Sequence, residues 1–270
     1  MNTTQTFDNR SIGIFDSGIG GLSIAKRISE QLPHENLIYV ADSQHAPYGE
    51  KSTGFITERV NLIAQQLIKQ ECKALVIACN TATVNAISQL RSQVDIPIIG
   101  VEPAIKPAAK QSINKKVAVL VTQATSQNPN FQRLIDRHHN GALVTIQPCP
   151  GLVELIEQGK QHSDQCYQLL KKYLEPLMSA GVDTLVLGCT HYPFVLEAIT
   201  SITGGLIHVL ETATPVTSYL SRQLKDKGLS ANVKQTGQHQ FFSSKVSEHQ
   251  QQLFSQLWQA PLTVNALTIL

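Results

Sequence analysis

The sequence predicts an α/β protein of two pseudo-symmetric domains, with mainly parallel sheets and an active site in the cleft between them. Three observations lead there. Apolar strand runs alternate with helical patterns along the chain, the run Leu75-Val76-Ile77-Ala78-Cys79-Asn80-Thr81 is nearly repeated as Leu185-Val186-Leu187-Gly188-Cys189-Thr190-His191, and the two cysteines lie about one domain's length apart. In an open α/β sheet, ligands are held at the carboxyl ends of buried strands, so each copy delivers a thiol to a place where chemistry is done.

The elements follow in order. Residues 11–15 form an apolar strand, the turn Gly18-Ile19-Gly20-Gly21 follows, a helix runs to about residue 30, and 37–41 is apolar again. Across 53–70, Ile56, Val60, Ile63, Leu67 and Ile68 recur at helical spacing with a polar opposite face. A strand returns at 75–78, and further strands are expected at 97–100, 117–121, 142–147, 184–187 and 206–210, with helices between them. Prolines at 101–107 and 212–215 disfavour a continuing helix or central strand and mark two seams. Cutting there gives one domain of 1–100 plus 213–270 and a second of 101–212.

A hydrophobic fraction of 42% and a charged fraction of 16% belong to an ordinary globular protein, and a formal charge of +2 is too small to imply a nucleic-acid partner. Residues 1–11 lack the layout of a signal peptide, and no apolar run approaches the ~20 residues of a membrane helix, so the cytoplasm is the expected location. Five cysteines at irregular spacing argue against a disulfide framework. Cys72 and Cys166, inside helical patterns, read as small buried hydrophobes. Cys149, between Pro148 and Pro150 at a strand end, is a weaker candidate for lining a site.

The glycine-rich turn after the first strand exposes backbone N–H groups at a helix start, which favours an anion. It is a poor dinucleotide fingerprint, because Ser23 stands where the third glycine should be. A small carboxylate or ammonium ligand gripped by Asp16 and Ser17 is one reading; a helix N-cap is the other, since both residue types also cap helices. The next strand ends in Ala41-Asp42-Ser43-Gln44-His45-Ala46-Pro47-Tyr48-Gly49, where Tyr48 and the Gly49 backbone either close over a ligand or form a turn packed for shape.

The residues after each cysteine look like helix starts, where a thiol's pKa is lowered from about 8.5 toward nucleophilic or basic use. Removing a proton from either face of one carbon requires two groups that exchange acid and base roles, and a matched thiol pair meets that need. His191 stands two positions from Cys189, and Asp16 is expected near Cys79 because their strands should be neighbours. No Cys-x-x-Cys pair is present, which argues against a metal site and a dithiol redox motif. A hydrolase with one nucleophilic cysteine and His191 as base would leave Cys79 unexplained.

Taken together, Asp16-Ser17-Gly18-Ile19-Gly20-Gly21-Leu22, Ala41-Asp42-Ser43 with Pro47-Tyr48-Gly49, Ala78-Cys79-Asn80-Thr81-Ala82-Thr83, Gly100-Val101-Glu102-Pro103, the stretch from Cys149 through Glu157, and Leu187-Gly188-Cys189-Thr190-His191-Tyr192-Pro193 closely resemble the cofactor-independent glutamate racemases of the aspartate/glutamate racemase superfamily. The resemblance implies two α/β domains around one active site. It makes Cys79 the group that takes a proton from D-glutamate and Cys189 the one that takes it from L-glutamate, with Asp16 and His191 assisting. It further implies substrate contacts from Asp16, Ser17, Pro47, Tyr48, Gly49, Asn80, Thr81, Thr122, Thr125, Thr190 and His191, with Asp42 and Glu157 as second-rank polar helpers. No pyridoxal or other cofactor and no metal are implied; the partner is glutamate, with no nucleic acid or membrane, and a homodimer is the oligomer considered. The residues themselves show no strong phosphate site beside a candidate Schiff-base lysine.

The chain departs from the usual family pattern at Val121, which replaces a small residue before Thr122, and at Phe131, where a tyrosine is common. The implied role is supply of D-glutamate for bacterial peptidoglycan. Some relatives carry long N-terminal extensions associated with regulation by cell-wall precursors; only about ten residues precede the first strand here, an expectation against that control. Aspartate racemisation within the same superfamily and noncatalytic amino-acid binding are the alternative functions.

Overall fold

The computed structural model describes residues 7–268, so the start of the polar N-terminal stretch and the last two residues of the tail lie outside it. The first lobe opens with β1 (Ile12–Asp16), α1 (Leu22–Gln31), β2 (Leu37–Ala41), α2 (Thr53–Lys69), β3 (Ala74–Ile77), α3 (Asn80–Arg91) and β4 (Ile98–Gly100). The second runs through α4 (Ile105–Gln111), β5 (Lys116–Val121), α5 (Gln123–Ser126), α6 (Pro129–His138), β6 (Leu143–Pro148), α7 (Leu152–Glu157), α8 (Asp164–Ser179), β7 (Thr184–Leu187), α9 (Leu196–Thr203) and β8 (His208–Leu210). The chain then forms α10 (Ala213–Asp226), β9 (His239–Ser243), α11 (Glu248–Trp258) and β10 (Val264–Ala266).

Among the described residues, one sheet has the order β10-β9-β2-β1-β3-β4 and the other β6-β5-β7-β8. All the pairings are parallel. The order β2-β1-β3-β4 recurs as β6-β5-β7-β8, so the sequence repeat is a repeat of topology. In each, the connections that leave the two central strands, β1 and β3 or β5 and β7, run in opposite directions, and a crevice opens beyond the carboxyl ends of that pair. Asp16 and Cys79 stand at that point in the first sheet, Thr122 and Cys189 in the second.

Central strands β1, β3 and β7 are buried throughout, as strands covered by helices on both faces should be. Helix α2 starts where the Ser52 hydroxyl accepts a hydrogen bond from the Phe55 N–H at 3.3 Å, and it buries Ile56, Val60, Ile63, Ala64 and Leu67 against the sheet. Glycine permits close packing at Gly188, where an added Cβ would stand 2.7 Å from both the Leu120 carbonyl oxygen and Val121 Cγ1. Val121 and Phe131, the two departures, are both fully buried in the second lobe's core.

Several expectations change. The proline seams are helix starts: Pro107 and Pro215 sit at the third position of α4 and α10, where a missing N–H would have no intrahelical partner anyway. Cys72 lies beyond the end of α2, in the turn into β3, although it is buried as expected. Strands β9 and β10 extend the first sheet beside β2 without an apolar run long enough to announce them. Among the described residues, no helix is long and apolar enough to cross a membrane.

Candidate active site

Cys79 follows β3 and caps α3. Its sulfur accepts from the Ala82 N–H at 3.4 Å, and the thiol faces the Ser17 hydroxyl at 3.5 Å. Its position at a helix N-terminus therefore holds, but the expected lowering of its pKa does not. Burial and then the Asp16 carboxylate push the thiol up to about 12, outweighing the Ala82 N–H and Ser17; Cys189 also opposes its ionisation.

Cys189 follows β7 and stands 3.7 Å from His191 Nδ1. The expected α-helix start after it is instead a 3-10 turn, Tyr192–Val195, and Val195 leaves helical geometry at φ −114° before α9 begins. Pro193 suits this turn's first positions, and the Tyr192 hydroxyl donates to the Val121 carbonyl at 3.2 Å, tying the turn to β5. His191 Nε2 lies 2.6 Å from Glu157 Oε1, which also accepts from the Ile19 N–H at 2.9 Å. Burial opposes a charged imidazole, but Cys189 and Glu157 outweigh it and hold His191 well above the ordinary histidine range.

Asp16 joins the two halves. Its Oδ1 accepts from the Gly18 N–H and its Oδ2 from the Thr190 hydroxyl, both at 2.9 Å. The helix-cap reading is thereby displaced, because α1 is capped by Gly21 without a side-chain hydrogen bond. Complete burial raises the Asp16 pKa, while His191, Gly18 and Thr190 pull against that rise.

A second junction is made of hydroxyls. Thr81, in α3, lies 2.9 Å from Thr122 and 3.2 Å from Thr125, and Thr122 donates to Thr125 at 3.0 Å. Gly49 meets the same place, since a Cβ there would stand 2.8 Å from Thr122 Cβ. Asn80 donates to the Val101 carbonyl at 3.1 Å, and its buried Oδ1 has no protein partner. Pro47, Gly49, Thr122, Cys149 and Glu154 share the wall of one small cavity. Cys149 thus lines the cleft, and burial followed by Cys189 drives its thiol far above the usual range.

Asp42 is set apart from both thiols by its hydrogen bonds, which go to Tyr48, His45 and Arg59. Arg59 was not legible as a site neighbour, because one basic residue on an amphipathic helix carries no spacing signal. Among the described residues, no three His, Cys, Asp or Glu side chains are grouped to hold a metal.

Two parallel-sheet lobes thus meet through buried polar contacts beside both thiols. Residues 12–240 match the family described as Asp/Glu/Hydantoin racemase, and the chain belongs to that family. It is 41% identical over 263 residues to a glutamate racemase of Pseudomonas aeruginosa, covering 97% of this chain and 99% of that one. It is 48% identical over 221 residues to a glutamate racemase of Ralstonia pickettii, covering 82% and 78%. Among solved structures it is similar to a Bacillus anthracis glutamate racemase isoform, with a TM-score of 0.87, 30% identity and coverage of 97% and 98%. A Francisella tularensis glutamate racemase in complex with D-glutamate matches with a TM-score of 0.85, 30% identity and the same coverage.

Proposed function

We propose that this chain is a glutamate racemase that interconverts L- and D-glutamate by proton transfer between two thiols. The observation that supports this reading most directly is the repeated strand order, which ends one copy at Cys79 and the other at Cys189, with Asp16 and Thr190 bonded between them. The lobes, divided as 1–100 with 213–270 and 101–212, are the bodies that enclose the substrate.

In this mechanism one cysteine acts as thiolate and breaks the Cα–H bond, leaving the electron pair delocalised into the α-carboxylate. The opposite thiol gives its proton to the other face, and the two sulfurs end with exchanged protonation states. Cys79 takes the proton from D-glutamate and Cys189 from L-glutamate. His191, beside Cys189, supplies an exchangeable proton and is oriented by Glu157; Asp16 and Ser17 serve Cys79. The resting Cys79 is a thiol because burial penalises its anion, so a bound substrate's ammonium is the charge that favours thiolate formation. Asn80 Oδ1 offers that ammonium an acceptor, and Ser17, Tyr48, Gly49, Thr81, Thr122, Thr125 and Thr190 supply polar contacts to the two carboxylates. The cellular role that accompanies this reading is supply of D-glutamate for peptidoglycan.

Incubation with L-glutamate or L-aspartate in heavy water tests it. The expected result is α-deuteration and loss of optical activity with glutamate. Turnover of aspartate alone makes the enzyme an aspartate racemase, and binding without exchange with either makes it a noncatalytic receptor.

A further inference from the structure

At the carboxyl end of β2, the fully buried Asp42 is the meeting point of four donors. The Tyr48 hydroxyl donates to Oδ2 at 2.6 Å and Arg59 Nε to the same oxygen at 2.8 Å. Arg59 Nη2 donates to Oδ1 at 2.9 Å, and His45 Nδ1 lies 2.9 Å from that oxygen. Both carboxylate oxygens are therefore committed to the segment that follows β2 and to α2. Burial alone would raise the Asp42 pKa; Arg59, Tyr48 and His45 outweigh it and hold the group below the usual carboxylate range.

The donors differ in how firmly they are placed. Arg59 projects from a 17-residue helix whose Ile56, Val60 and Ile63 are buried. Tyr48 belongs to the three-residue 3-10 turn Tyr48–Glu50, and its neighbour Gly49 faces Thr122 across the cleft. A planar guanidinium that forks onto both oxygens fixes the carboxylate's plane, and the carboxylate then fixes the tyrosine hydroxyl.

We propose that Arg59 is a positioning residue for racemisation: by neutralising Asp42 it sets the Tyr48-Gly49 turn over the cleft, and Asp42 works through that turn and not on either thiol. This rests on the reading of Tyr48 and Gly49 as substrate contacts. Without Arg59, Asp42 keeps only Tyr48 and His45 as side-chain partners, and a buried carboxylate short of its counter-charge either takes up a proton or draws in water. Either change loosens the turn while leaving Cys79, Cys189 and their partners in place.

The test uses the full chain as wild type, Arg59→Met, Arg59→Lys, Asp42→Asn and the Asp42→Asn/Arg59→Met double variant. Initial rates are measured from both glutamate enantiomers, and backbone hydrogen exchange is followed over residues 45–51. Arg59→Met should raise KM about tenfold or more while lowering kcat less than about threefold, the pattern of lost binding and not of lost chemistry. Arg59→Lys should recover only part of that loss, because an ammonium cannot fork. The double variant should be no worse than Arg59→Met, since a neutral amide needs no counter-ion; it also remains informative if the unpaired charge stops Arg59→Met from folding.

Additive losses in the double variant overturn the proposal, as does a fall in kcat at unchanged KM. Faster exchange over 45–51 in Arg59→Met is expected whether or not glutamate is the substrate. Faster exchange in a protein whose wild type turns over no glutamate would thus retire the functional reading while leaving the clamp, and unchanged exchange would retire the clamp itself.

Discussion

The Thr190 hydroxyl donates to Asp16 Oδ2 at 2.9 Å, so the residue after Cys189 is bonded to the residue before Ser17, the hydroxyl that faces Cys79. One hydrogen bond from each lobe's strand end to the other thus fixes the spacing of the two thiols' surroundings. Replacing Thr190 with Val leaves the buried Asp16 carboxylate with the Gly18 N–H as its remaining direct donor, a loss of about 1–3 kcal/mol in stability. Thr190→Ser should restore both stability and turnover; denaturant midpoints and kcat measured on the two variants decide it.

Cys79→Ser and Cys189→Ser should each lower racemisation by about a hundredfold or more, the scale of a lost general acid or base. Each variant should retain α-deuteration of the one enantiomer whose proton faces the surviving thiol, and lose it for the other. Proton NMR of L- and D-glutamate incubated separately in heavy water distinguishes the two. Full racemisation by either variant would remove the paired-thiol mechanism.

Gly20→Ala should abolish activity without touching a thiol. A Cβ at residue 20 would lie 2.4 Å from His191 Nδ1 and 2.6 Å from Thr190 Oγ1, distances no real Cβ contact tolerates. Either the imidazole leaves Cys189 or Thr190 leaves Asp16. Gly54→Ala, which meets nothing within 4 Å, is the matched control for kcat.

Glu157→Gln should alter the pH dependence of stability. His191 has a folded pKa above its unfolded value of about 6.5, so its stabilising contribution is fully present below that value and is lost as pH rises through the folded pKa. Removing the Glu157 charge lowers the folded pKa and moves the loss to lower pH. Thermal denaturation of wild type and variant between about pH 6 and pH 9 reads it out; identical profiles would mean that Glu157 does not hold the imidazolium.

The sequence carried the repeated strands, β2 and β7 to the residue, and the thiol positions, because buried parallel strands are short apolar runs that end at the site. It did not carry the state of Cys79. A helix N-terminus is a local feature, whereas the burial that overrides it comes from tertiary packing, which sets Cys79 in the same core cluster as Phe15, Tyr48 and Ile77. The same holds for Asp42, whose role depends on Arg59, 17 positions along the chain and brought back by α2. Strands β9 and β10 escaped notice because His239 and Gln240, which β10 does not pair, and Asn265 on the edge strand are polar and at least partly open to solvent, so neither strand is an apolar run.

Cys79 has a hydroxyl and a backbone amide for company, whereas Cys189 has an imidazole backed by a carboxylate. The two mirror-image forms of glutamate are isoenergetic in water, so detailed balance obliges the forward and reverse values of kcat/KM to be identical however unlike the two sulfurs are. On the two-thiol mechanism proposed above, the inequality of their settings can express itself only in how each direction divides that shared quotient between saturation and turnover, and any substitution beside one sulfur must slow both directions equally at low substrate.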